Sequence, residues 1–166
     1  LLDRLDALGE DGATLDGVAA CLGEAEVSDA DLAPYLHFRD DKYARNLVRR
    51  CERYDVIVLC WEPGHETPVH NHSGQRGWVR VLRGALEETA YRPLSRVPAE
   101  GDACTQLMSV KLEEVSRGVA AAGPGVVAVD EERGIHRLAN RGPERAVSLH
   151  VYSKPHDSCL TFDLET

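Results

Sequence analysis

The sequence predicts an all-β fold, a sandwich or barrel preceded by a small helical cap. Three observations predict it. The first forty residues carry helical spacing, the remainder breaks into short β-type runs, and turn residues separate those runs. A chain of 166 residues can bury a sizeable core in one domain but is short for two. One domain over residues 1–166 is therefore expected, with the cap at 1–40 and the barrel at 41–166.

In the cap, Leu2, Leu5 and Leu8 recur at helical spacing, Gly9 and Gly12 interrupt the pattern, and 14–21 resumes it. Ser28 and Asp29 are good N-cap residues, so a third short helix is expected to begin there and run through Leu32 to Leu36.

Beyond Tyr43, β-type runs occupy 54–61, 77–82, 86–91, 107–115, 125–129, 136–138, 146–152 and 159–162. Turn signals fall between them at Arg83-Gly84, Arg117-Gly118, Gly123-Pro124-Gly125 and Asn140-Arg141-Gly142-Pro143. Many short strands at this spacing indicate a sandwich or barrel. The polar, proline-containing stretch 92–103 is expected to be a surface loop.

A formal net charge of -9 argues against nucleic acid or an anionic membrane as a partner and favours a small molecule. No apolar run approaches the roughly 20 residues that cross a bilayer. The charged opening Leu1-Leu2-Asp3-Arg4-Leu5-Asp6 lacks the apolar segment of a signal peptide, so cytoplasm is the expectation, and a few residues are expected to precede Leu1. Cys21, Cys51, Cys60, Cys104 and Cys159 are odd in number and include no C-x-x-C pair, which fits reduced thiols. Cys60, in an apolar run, reads as a core residue.

The chemistry concentrates in Pro68-Val69-His70-Asn71-His72 and, far downstream, Gly134-Ile135-His136. On a strand, residues two apart share a face, so His70 and His72 can offer two imidazoles to one metal ion. Taken alone, a histidine pair is a weak signal and reads first as a strand with one exposed and one buried, hydrogen-bonded histidine; the later Gly-x-His at the start of another strand strengthens the metal reading. No Asp or Glu follows His72 until Glu87, so the ligand set is read as three neutral histidines. Such a set leaves a divalent charge uncompensated and positions open, which favours anionic ligands such as a thiolate or carboxylate.

In Ser148-Leu149-His150-Val151-Tyr152, the polar residues alternate with Val147, Leu149 and Val151. In a barrel wall either face could line the interior; three hydrogen-bonding groups placed inside would need partners or a function. A Ser-His-Tyr relay could then hold the Tyr152 phenol beside a metal-bound substrate.

These segments, together with Tyr43-Ala44-Arg45-Asn46-Leu47-Val48, Leu59-Cys60-Trp61 and Leu82-Arg83-Gly84-Ala85-Leu86-Glu87-Glu88-Thr89, resemble cysteine dioxygenase, a thiol dioxygenase family of the cupin superfamily. The resemblance spans most of the chain in the family's order. It implies a cupin jelly-roll β-barrel and a mononuclear non-heme Fe(II) held by His70, His72 and His136. It further implies that Arg45 binds the substrate carboxylate with Tyr43 nearby, and that Tyr152 is the phenol beside the iron, supported by His150 and Ser148. Trp61 and Cys159 match positions near the family's cavity, although simple packing is the first reading of Cys159. Gly77 stands where animal members carry the cysteine that cross-links to the tyrosine, so Tyr152 is expected to be an unmodified phenol, as in bacterial members.

The expected activity is addition of both atoms of dioxygen to the sulfur of L-cysteine, giving cysteine sulfinate, by a cytoplasmic monomer. Thiolate oxidation to sulfinate removes four electrons and dioxygen accepts four, so no further cofactor is required; no nucleotide-binding G-x-G-x-x-G opening a helix is present. Within the family, enzymes for 3-mercaptopropionate typically carry glutamine at the arginine position, so Arg45 favours cysteine. Alternatives are a dioxygenase of another small thiol, a non-enzymatic ligand-binding cupin, and a zinc cupin of isomerase or hydrolytic chemistry.

Overall fold

The computed structural model describes residues 1–9, 14–72, 74–94, 106–108, 110–129, 134–153, 155 and 159–164. Cys104, His156 and most of the loop expected at 92–103 lie outside the described residues.

Among the described residues three short helices open the chain: α1 (Leu2–Ala7), α2 (Leu15–Gly23) and α3 (Asp29–Leu32). The Thr14 hydroxyl accepts the Gly17 N–H at 3.0 Å, and Ser28 with Asp31 forms a reciprocal capping box, so both starts follow from short polar side chains that satisfy orphan amides. The third helix was expected to reach Leu36, but after Leu32 it tightens into a 3-10 turn, Ala33–Tyr35. Pro34 has no N–H to continue the α pattern.

Eleven strands follow among the described residues: β1 (Ala44–Arg50), β2 (Tyr54–Trp61), β3 (Val69–His70), β4 (Gly77–Arg83), β5 (Ala85–Pro93), β6 (Gln106–Met108), β7 (Leu112–Ala121), β8 (Val126–Val129), β9 (Ile135–Ala139), β10 (Ala146–Ser153) and β11 (Leu160–Phe162). They form a five-stranded sheet, β1-β2-β10-β4-β8, and a six-stranded sheet, β6-β11-β3-β9-β5-β7. The all-β expectation holds.

Two local expectations do not, and one strand was not anticipated. The run at 107–115 divides: β6 pairs in parallel with β11, whereas β7 pairs with β5. Arg117-Gly118 is not a turn but lies within β7, with Gly118 paired to Glu88 and the Arg117 guanidinium anchored on Glu114. Residues 44–50, not anticipated as a strand, pair with β2 along its length.

The helices decide which face of the five-stranded sheet is outside. Leu5, Val18, Cys21, Leu22 and Leu32 pack on Val56, Val58 and Cys60 of β2 and on Val147, Leu149 and Val151 of β10. Burying each such side chain contributes roughly 1.5–3 kcal/mol. Arg80 ties the layer down, donating to the carbonyls of Leu22 (2.7 Å), Ala25 (2.6 Å) and Gly123 (2.8 Å). Since alternate residues of a strand face opposite ways, Ile57, Leu59 and Trp61 turn to the interior, where they meet Val79, Val81, Leu86 and Leu138. Ser148, His150 and Tyr152 therefore also face inward, which settles the choice that alternation along β10 left open.

Cys60 is a buried core thiol, as expected, and burial pushes its pKa up to about 11. Cys21 and Cys51 are likewise free thiols. No helix among the described residues is long and apolar enough to cross a membrane.

Candidate metal centre

β3 is only two residues long, and its partner across the antiparallel ladder of β9 sets the site: His70 lies directly opposite His136. Side chains of directly opposed residues are neighbours on one sheet face. His72 is not on the strand, contrary to the expectation of a pair on one β-face. The strand ends after His70: Asn71 still faces Leu160 of β11 and donates its N–H to Leu160 O at 3.1 Å, but its side-chain Oδ1 accepts the Leu160 N–H at 2.8 Å, where a continuing ladder would use a main-chain carbonyl.

The three rings nevertheless converge. Ring centres are 5.1 Å apart for His70 and His72, 4.9 Å for His70 and His136, and 4.8 Å for His72 and His136, and one ligand nitrogen from each lies within 4.8 Å of the others. Every Nδ1 is engaged: His70 with Pro68 O at 3.0 Å, His72 with Gly134 O at 3.2 Å and His136 with Glu88 Oε1 at 2.7 Å. Each acceptor requires Nδ1–H, which leaves the Nε2 lone pair for an ion. Burial, reinforced by His136, holds His70 well below its ordinary pKa and His72 down at about 3. Neutral imidazoles with free lone pairs suit a divalent cation, so the donors fit a metal.

Beside this cluster opens a cleft of about 420 Å³ lined by Arg45, Arg50, Asp55, His70, His72, Gln75, Tyr152 and Cys159, with Asn71, Leu47 and Ile57. Arg45 reaches in from β1, its guanidinium 5.9 Å from the Tyr152 ring centre. Arg50 is neutralised by a bidentate pair with buried Asp55 at 2.9 Å. Cys159 is placed by its neighbour Leu160, which Asn71 holds against the histidine loop.

Tyr152 stacks near His72, ring centres 6.0 Å apart. Behind it runs a buried chain: Tyr152 OH to His150 Nδ1 at 3.0 Å, His150 Nε2 to Ser148 Oγ at 2.8 Å, and the Trp61 indole N–H donating to Ser148 Oγ at 2.9 Å. Burial, then the positive field of Arg45, drives His150 well below its usual pKa, so its ring is neutral. Burial also raises the Tyr152 phenol, opposed by Arg45. Tyr43 stacks on Trp61 at 4.8 Å, and its phenol, raised by burial, is held by Arg45. Neither Tyr43 nor Trp61 lines the cleft; Tyr43 stands behind Arg45, which does, and Trp61 stands behind Tyr43.

Sequence reasoning did not anticipate Glu88, Asn71, Gln75 or the Arg50–Asp55 pair. Glu88 alone carried a signal, as an acidic residue in a strand run.

The family profile described as "Cysteine dioxygenase type I" matches residues 5–165. The chain belongs to the cysteine dioxygenase family. It is similar to proteins named cysteine dioxygenase type 1 from Bos taurus, 32% identical over 92% of this chain and 71% of the relative, and from Homo sapiens, 32% identical over 94% and 73%. Its fold is similar to that of a cupin superfamily protein from Desulfitobacterium hafniense, with a TM-score of 0.52, 14% identity, and coverage of 80% of this chain and 93% of that one. The cupin architecture expected from the sequence is thus the fold of this family member.

Proposed function

We propose that the protein is an Fe(II)-dependent dioxygenase that adds both atoms of dioxygen to the sulfur of L-cysteine to yield cysteine sulfinate. Family membership supports this reading. The observation that carries it is the convergence of three histidines beside one cleft that also holds an arginine and a buried-backed tyrosine.

His70, His72 and His136 would hold the iron. Iron bound there would supply a redox-active Lewis acid at which a thiolate is activated toward dioxygen. Arg45 binds the substrate carboxylate through a charge-assisted contact and so fixes which end of the molecule faces the histidines. Tyr43 steadies Arg45 and is itself stacked on Trp61.

Tyr152 acts as a hydrogen-bond donor. Ser148 Oγ accepts from Trp61 and, to leave no buried proton unpaired, gives its own hydrogen to His150 Nε2. His150 then carries its proton on Nδ1 and donates it to the Tyr152 oxygen, which frees the phenolic hydrogen for the substrate in the cleft. Cys159 lines the cleft and packs against its contents.

Residues 1–166 act as one domain on this reading, with 1–40 as cap and 41–166 as barrel, and the protein is a cytoplasmic monomer, which light scattering would check. The test of function is oxygen uptake by the Fe(II)-loaded protein, with product identified, on cysteine, 3-mercaptopropionate and cysteamine. Uptake with cysteine in a one-to-one ratio to sulfinate is expected. Faster turnover of mercaptopropionate would reassign the substrate, and no uptake with any thiol would favour a binding protein.

A further inference from the structure

The three histidines differ in what receives their Nδ1 proton. For His70 and His72 it is a neutral peptide carbonyl, at 3.0 and 3.2 Å, but for His136 it is the carboxylate of Glu88, at 2.7 Å. We propose that Glu88 is the positioning residue of the metal centre: it fixes the His136 ring and supplies, through that ring, the negative charge that an all-histidine ligand set lacks. The inference rests on the reading of the three histidines as metal ligands.

The register makes this contact. On β5, Ala90 lies opposite His136 and Glu88 opposite Leu138, so Glu88 is the diagonal neighbour of His136 on the same sheet face. A diagonal neighbour is within reach of a long side chain. That face is the interior one, since Leu86 and Leu138 of the same rows sit in the inner core. An inward carboxylate is unfavourable unless it is paired or hydrogen-bonded.

Glu87, one residue away, shows the contrast. It points to the other face and stands 3.7 Å from both Arg117 and Arg141, so its charge is met by arginines. Glu88 is set against an imidazole instead, with its side chain 23% exposed and that of His136 2% exposed. A carboxylate accepting Nδ1–H holds the ring in one orientation and raises the basicity of the other nitrogen. Two carbonyls and one carboxylate thus give three ligands of unequal donor strength, with His136 the strongest. The charge reaches a bound dication without occupying a position that a thiol substrate needs.

The test uses Co(II) as a probe on the full chain, the Glu88→Gln variant and the Glu88→Ala variant, reading affinity by competition with a chelator and geometry by the visible Co(II) bands. Glu88→Ala should bind roughly 10- to 100-fold more weakly, with shifted bands. Glu88→Gln, which keeps an acceptor oxygen but no charge, should retain the band positions and lose part of the affinity, while thermal unfolding of both metal-free variants stays near that of the unaltered chain. Native affinity and bands in both variants, alongside Co(II) binding by the unaltered chain, would overturn the role of Glu88 alone. If the unaltered chain binds no Co(II), the three-histidine reading fails instead. Should Glu88→Ala not fold, Glu88→Gln decides, and native affinity in it overturns the proposal.

Discussion

His70 and His136 stand directly opposite one another across β3 and β9, with ring centres 4.9 Å apart. Their proximity is therefore a property of the ladder and needs no loop to be ordered. Replacing His136 with Ala should abolish retention of a divalent ion after loading and reduce turnover to background, with the far-ultraviolet circular dichroism of a β protein retained. One bound equivalent of metal in that variant would remove His136 from the ligand set.

Arg45 is expected to act on the substrate rather than on the metal. Arg45→Ala should lower kcat/KM for cysteine roughly tenfold to a hundredfold, the loss of a charged contact of about 1.5–3 kcal/mol, with iron content unchanged. The measurement is steady-state oxygen uptake with metal analysis of the same sample. Unaltered kinetics would take Arg45 out of the site.

Tyr152→Phe removes only the donor hydroxyl at the end of the buried chain. Turnover should fall by about 100-fold, as for loss of a single transition-state donor, with little change in KM or iron content. Loss of iron would instead assign Tyr152 a structural part.

Gly77 bears on the same side chain. A Cβ there would lie 2.9 Å from Val129 Cγ2 and 3.2 Å from Tyr152 Cε1. Gly77→Val should displace the phenol, slow turnover as Tyr152→Phe does, and destabilise the fold by about 1–3 kcal/mol through overpacking, readable in urea melts. Turnover at the native rate would show that the ring relaxes freely.

His150 makes stability depend on pH. Its folded pKa lies well below 6.5 because burial disfavours the cation, so the stability it contributes is complete above 6.5. As pH falls below 6.5 the unfolded chain gains a proton that the folded chain refuses, and stability declines by about 1.4 kcal/mol per pH unit until the folded group titrates. His150→Gln should flatten the acid limb of the stability profile by one proton, measured by denaturant unfolding of the metal-free chain between pH 7 and 4. An unchanged limb would mean that His150 is charged in the fold.

Much of the site was legible because strand alternation and the family's motifs speak through local sequence. Ser148, His150 and Tyr152 were recognisable as one row, and the three histidines as one set. What local pattern could not supply was register between distant strands. Glu88 meets His136 only because β5 and β9 pair with Ala90 opposite His136, a relation between segments 48 residues apart. The end of β3 after His70 was hidden for the same reason, since it depends on the Asn71–Leu160 contact. β1 escaped notice because Ala44-Arg45-Asn46-Leu47-Val48-Arg49-Arg50 shows no alternation; Leu47 is 53% exposed, beside the cleft. The side on which the helices dock decided which row of β10 turns inward, and nothing within 146–153 encodes that.

His136 lies more than sixty residues beyond His70 and His72, so an unfolded chain does not gather all three imidazoles. An ion held by all three is consequently a ligand of the native state. At a free concentration 100 times its dissociation constant it would add about 2.7 kcal/mol to the free energy of unfolding. Supply of metal and resistance to heat are then linked quantities, and starvation for the ion would shorten the life of the protein as well as silence it.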